Sequence, residues 1–179
     1  MVKYFEAIKR LAHSFFKDIY SALEDSPIVS QVYLIDLIPH CVQDSDNIML
    51  TAPISMNELK KALVCMESDK APGPDGFIAS FYLTCLPTIK KYLLRMVGKS
   101  QTCNKIGGST NSAFLALITK DKGATNFNKF RPISLCNTSY KLVTKIIDDH
   151  LKKIVLVIIL ENQGGFIKGR TILENIVLL

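Results

Sequence analysis

The five cysteines include no CxxC pair, and Cys41, Cys65, Cys85, Cys103 and Cys136 are odd in number and widely scattered. Neither a zinc site nor a disulfide framework is indicated, and the thiols read as reduced, in an intracellular protein of nucleus or cytoplasm. Long apolar runs are also missing. The longest, Ile154 to Leu160, is about a third of the roughly 20 residues a membrane helix needs. The amphipathic N-terminus carries Glu6 and makes a poor signal peptide. Nothing matches a Walker-type phosphate loop, which needs Gly-Lys-Ser/Thr at its end, and Lys70 is followed by Ala71. What is there is 179 residues, 48% hydrophobic and 21% charged, the composition of one globular domain or one large piece of one.

Charge is unevenly spread. Residues 1–112 hold 12 basic and 11 acidic side chains, whereas residues 113–179 hold 10 basic and 5 acidic. A basic C-terminal part suits a polyanionic partner, nucleic acid first among them. A soluble, lysine-rich surface is the other reading of the same charge.

Hydrophobic spacing is mostly helical. Phe5, Ile8, Leu11, Phe15, Ile19 and Leu23 predict a helix over 3–23. Residues 25–50, broken by Pro27 and Pro39, read as a connector with one short helix. Ser55 and Glu58 form a capping box ahead of Leu59, Ala62 and Leu63. After the turn KAPGPDGF, a helix is expected from Phe77 to Leu86, with another opened by Pro87 and ended by Gly98. Ala113–Thr119 and Arg131–Leu135 read as a two-stranded hairpin with a long polar tip. Tyr140, Val143, Ile147, Leu151, Ile154 and Ile158 predict one long helix. Thr171 and Glu174 open a last one.

In KAPGPDGF, Pro72 stops the preceding helix by pushing Ala71 out of the helical region. Pro74 presets a turn, and Gly73 and Gly76 permit positive φ. Asp75 has neither a second carboxylate nor a histidine beside it, so it reads as a cap for a helix beginning at Phe77 rather than as a chemical group. His13 and His40 lack spaced partners. Asp149 and His150, about 100° apart on a helix, are poorly placed to chelate one ion. Lys120, Arg131, Lys168 and Arg170 flank glycine or proline turns, where cations sit near exposed backbone N–H groups, as phosphates favour.

Five blocks in order, KAPGPDGF (70–77), FLALITK (114–120), FRPISLCN (130–137), YKLVTKI (140–146) and ENQGGFIKGRTILEN (161–175), resemble the reverse transcriptases of plant LINE-type, non-LTR retrotransposons. The resemblance runs over roughly residues 10–179. It implies an α+β, mostly helical fold: the fingers and early palm of a right-hand polymerase, with a small β-hairpin. Residues 1–56 would be a helical entry region and 57–179 the partial reverse transcriptase domain. It further implies that Lys120 and Arg131 contact the triphosphate of an incoming nucleotide. Lys168 and Arg170, in a loop loosened by Gly164, Gly165 and Gly169, would lie near template or nucleotide. Pro72, Gly73, Pro74, Asp75 and Gly76 are a structural turn.

The chain departs from the pattern in three places. Thr119 stands where proline is usual, His150 where arginine is common, and tryptophan is absent altogether. The palm blocks that carry the paired, metal-holding carboxylates are not in this sequence, so no catalytic residue and no metal ligand is expected here. Mg²⁺ is expected only for a complete polymerase. The chain looks truncated before the catalytic palm. The expectation is a truncated domain, inactive alone, whose partners in the intact family are an RNA or DNA template–primer, dNTP and a palm and thumb segment. A non-catalytic nucleic-acid-binding or helical interaction remnant is the alternative.

Overall fold

The structure is a computed structural model that describes residues 2–21, 41–160, 163–165, 167 and 169–170. Packing divides the chain into two units, one formed by residues 1–39 and 116–133, the other by residues 40–115 and 134–179.

In the first unit α1 spans Val2–Ser21, as the three- and four-residue spacing predicts. Its Phe15 and Phe16 meet Phe127 at ring-centroid distances of 5.5 and 6.2 Å, and Phe16 is buried there. Phe127 also lies 6.4 Å from Phe130. These aromatic contacts, tilted or edge-on, are the packing that defines this unit.

The second unit is a helical core. Short α2 (Asp44–Thr51) lies in the stretch read as a connector. In α3 (Met56–Val64) the capping box forms in full. Glu58 N donates to Ser55 Oγ at 3.2 Å, and Ser55 N donates to the Glu58 carboxylate at 2.8 Å. Two otherwise orphaned N–H groups are thereby satisfied. Leu59, Ala62 and Leu63 then face Tyr82, Leu93 and Val97 of α4 (Ala79–Cys103) and Leu142, Val143 and Ile146 of α5 (Thr138–Leu151). Gln101 of α4 donates to the Thr51 and Ala52 carbonyls, closing the C-terminal end of α2.

Two expectations are corrected. Pro87 does not open a second helix, and Gly98 does not end one: α4 is continuous through both to Cys103. An internal proline costs about 3 kcal/mol and an internal glycine about 1. Burial of Tyr82 before Pro87, and of Leu93 and Val97 after it, offsets that loss. Asn104, at φ 51°, ends the helix in the left-handed conformation that asparagine tolerates better than most residues. The long helix expected through Ile158 instead stops at Leu151. Bonds from Lys153 N to the His150 carbonyl and from Ile154 N to the Leu151 carbonyl tighten the chain into a turn that buries Ile154. A short helix, α6 (Val155–Ile158), follows. The helix expected from Thr171 lies outside the described residues.

Between α4 and α5, β1 (Ala113–Thr119) and β2 (Phe130–Cys136) pair as the expected hairpin. Its tip includes a 3₁₀ turn at Phe127–Lys129.

Candidate nucleic-acid interface

Lys120 and Arg131 sit on the hairpin. Lys120 N donates to the Lys129 carbonyl at 2.8 Å, extending the ladder one step past the strands. With seven residues in each strand, that register sets Ala113 opposite Cys136 and Ile118 opposite Arg131. Residues directly opposite, and those two apart along a strand, share a face. Lys120 and Arg131 are therefore diagonal neighbours on one face, and both side chains are exposed. Lys120 Nζ donates to the Asn128 carbonyl at 2.8 Å. An ammonium has three donors, so two remain for a ligand. Asn126 holds the tip by accepting from Asn128 N at 3.2 Å.

The KAPGPDGF turn is built around a residue given no role by the spacing argument. Asn137, directly after β2 and 2% exposed, accepts from Asp75 N through Oδ1 at 3.1 Å. Through Nδ2 it donates to the Ser109 carbonyl at 2.9 Å and to Ser112 Oγ at 3.1 Å. One amide thus ties the turn to the GGSTNS loop and the start of α5. Thr138 adds a bond from Oγ1 to the Phe77 carbonyl at 2.7 Å. The only sequence signal for this junction is a polar residue closing an apolar strand just before a helix.

Two details of that turn differ from expectation. Asp75 does not cap a helix at Phe77, because α4 begins at Ala79 behind Ile78. Its Oδ1 instead accepts from Phe77 N at 3.0 Å, an Asx-type turn two residues long. Gly76 has the positive φ, 75°, but Gly73 does not. Gly73 is needed for close approach: a Cβ there would overlap Asn137 N, Asn137 Oδ1 and the Cys136 carbonyl carbon. Pro72 is half-buried and Pro74 exposed. Asp75→Ala is expected to lower stability by about 1 kcal/mol, and Asp75→Asn by much less, because asparagine keeps the acceptor. Urea titration of the two variants measures the difference.

Arg170 closes its own loop, donating from Nη1 to the Leu160 carbonyl at 2.6 Å and to the Gln163 carbonyl at 3.3 Å. Gly169 beside it has φ 87°. Lys168 lies outside the described residues.

Beside the turn, a cleft of about 440 Å³ is lined by Met66, Lys70, Thr138, Lys141 and Lys145 among others. Its cations are engaged within the protein. Lys70 pairs with Glu67 at 3.0 Å, and Lys141 donates to the Ala71 carbonyl at 3.1 Å. Lys145 pairs with Asp149 at 2.8 Å and with Asp148 at 3.3 Å. The Asp149 hydrogen bond, chiefly, pushes the Lys145 ammonium up to about 12. His150 is structural, as the spacing argument holds. It is buried, with Nε2 at 3.0 Å from Glu58 Oε1 and Nδ1 at 3.2 Å from the Leu50 carbonyl. The backbone hydrogen bond from Ser55, ahead of the bond from His150, holds the Glu58 carboxyl below its usual range. Among the described residues, no group of three or more His, Cys, Asp or Glu side chains comes together to hold a metal ion, and no helix is long and apolar enough to cross a membrane.

The chain is a homologue of a transposon-encoded protein. It is 31% identical over 174 residues to the Transposon TX1 uncharacterized 149 kDa protein of Xenopus laevis. The match takes in 97% of this chain and 13% of that protein, so the chain spans about an eighth of its relative's length. No protein-family model matches the chain.

Proposed function

We propose that this chain is the fingers and early-palm part of a retrotransposon reverse transcriptase, whose complete form copies an RNA template from a primer end with dNTPs. Two findings support the reading: the ordered blocks from KAPGPDGF to ENQGGFIKGR, and homology over nearly the whole chain to a transposon protein. The observation that carries it into chemistry is the pair Lys120 and Arg131, exposed on one hairpin face. Arginine binds phosphate oxygens bidentately and lysine as a point charge. Together they suit a triphosphate. The part this reading assigns to the chain is phosphate and strand binding.

The test is nucleotide binding by the 179-residue protein, read with a fluorescent dNTP analogue. Lys120→Ala and Arg131→Ala are each expected to weaken binding about tenfold, the worth of one charge-assisted hydrogen bond. Template-directed extension by this chain alone is expected to be absent. A non-catalytic nucleic-acid-binding module is the competing reading; it predicts strand binding with no dNTP binding at all.

A further inference from the structure

The stretch from Gly76 to Lys120 contains five basic residues before Lys120 itself and no acidic one over its whole length. Most of it is α4. Lys90, Lys91, Arg95 and Lys99 are exposed, and among the described residues none of them enters an ion pair or a side-chain hydrogen bond. The cleft lysines, by contrast, each already hold a partner within the protein. At about 100° per residue, Phe81, Lys91, Tyr92, Arg95 and Lys99 fall within about 100° of arc, away from the buried Tyr82, Leu93 and Val97. The aromatic members are open: Tyr92 is 75% exposed, and Phe81 stacks on exposed Phe77 with centroids 4.4 Å apart. From Phe81 to Lys99 the stripe is about 27 Å long.

We propose that this face of α4 is a binding track for single-stranded nucleic acid, with Lys91, Arg95 and Lys99 on phosphates and Tyr92 and the Phe77–Phe81 stack under bases. Charge complementarity commits the occupant to a polyanion, because α4 itself carries four cations and no carboxylate, with Asp75 only at its N-terminal end, away from Lys91, Arg95 and Lys99 in sequence. Aromatic rings interleaved with the cations select a strand with unpaired bases: duplex bases are not free to stack, and an acidic peptide has none. The track uses no residue of the Lys120 and Arg131 pair and does not depend on the polymerase reading.

The experiment is a salt-titrated fluorescence anisotropy series on the full chain, using a labelled oligouridine RNA of about 16 nucleotides, within the span such strand-binding surfaces cover. Lys91→Ala/Arg95→Ala/Lys99→Ala is expected to bind at least about tenfold more weakly. Its log affinity against log salt should be shallower by about 2, at roughly 0.7 for each phosphate no longer neutralised. Tyr92→Ala should weaken binding about fivefold or more and leave the salt slope unchanged, since stacking releases no counterion. Tyr92 is too exposed for its loss to unfold the chain, so this arm stands even if the triple variant is less stable. Lys9→Ala, outside both the track and the hairpin, should keep the oligouridine affinity within about twofold, and Lys120→Ala/Arg131→Ala is titrated beside it. Unchanged affinity in the α4 triple variant overturns the proposal. If the weakening appears only in the hairpin pair, the proposal also fails while the hairpin reading stands. Equal binding of the RNA by Tyr92→Ala and parent, or tighter α4-dependent binding to phosphatidylserine vesicles than to RNA, removes the single-strand assignment.

Discussion

Gly73→Ala is expected to destabilise the helical unit by about 3 kcal/mol, a large share of the roughly 5–15 kcal/mol that holds a domain folded. Gly73 is buried, and an added Cβ there meets main-chain atoms of Cys136 and Asn137 as well as the Asn137 side-chain oxygen. Relief requires the turn to move off the start of α5. That movement breaks the bond from Asp75 N to Asn137 Oδ1. Asn137→Ala should cost a similar amount by another route, since it leaves Asp75 N, the Ser109 carbonyl and Ser112 Oγ without their shared partner. The double variant should not recover, because the overlap with Asn137 N and the Cys136 carbon persists after the side chain is gone. Urea unfolding followed by circular dichroism measures all three proteins. A Gly73→Ala midpoint equal to the parent's would mean that the turn does not pack against this junction in solution.

His150→Ala is the second large effect, expected at about 2–3 kcal/mol, the scale of stranding buried hydrogen-bonding groups. The ring is buried where α5 meets α3 and the end of α2, and its removal opens a gap there and takes the partner from the Leu50 carbonyl, while water can reach the partly exposed Glu58 oxygen. On the acid side, the pH dependence of stability comes from Asp148, whose carboxyl the Lys152 hydrogen bond chiefly holds below its usual range, and from Glu58. The Glu58 folded pKa lies below the ordinary 4.5, so its contribution is present above that value and is lost as pH falls through the folded pKa. Because the Ser55 backbone bond is the leading cause, His150→Ala should keep most of this acid sensitivity. Glu58→Gln should remove the Glu58 part and leave the Asp148 part, while preserving the capping box, since glutamine also accepts from Ser55 N. Thermal melts between about pH 3 and pH 7 separate these cases. An acid limb that vanishes in His150→Ala but survives undiminished in Glu58→Gln would contradict the assignment.

The same contrast between local and distant causes governs what could be read from the residues alone. The sequence by itself determined α1, the Ser55–Glu58 capping box with α3, and the β1–β2 hairpin. In each, the deciding interaction joins residues a few positions apart, or repeats with a short period, and so leaves a pattern in the chain. It also placed Lys120 and Arg131 beside turns, because glycine and proline mark turns locally. Only the tertiary structure decided that α4 runs through Pro87 and Gly98, since burial of Tyr82, Leu93 and Val97 outweighs the local cost. It likewise set the end of α5 at Leu151 and made Gly73 a point of close approach rather than of positive φ. Asn137 bonds residues 25–28 and 62 positions away, and His150 bonds residues 92 and 100 positions away. No periodicity records such partners: a buried amide or imidazole shows its purpose only when the fold brings distant donors and acceptors to it.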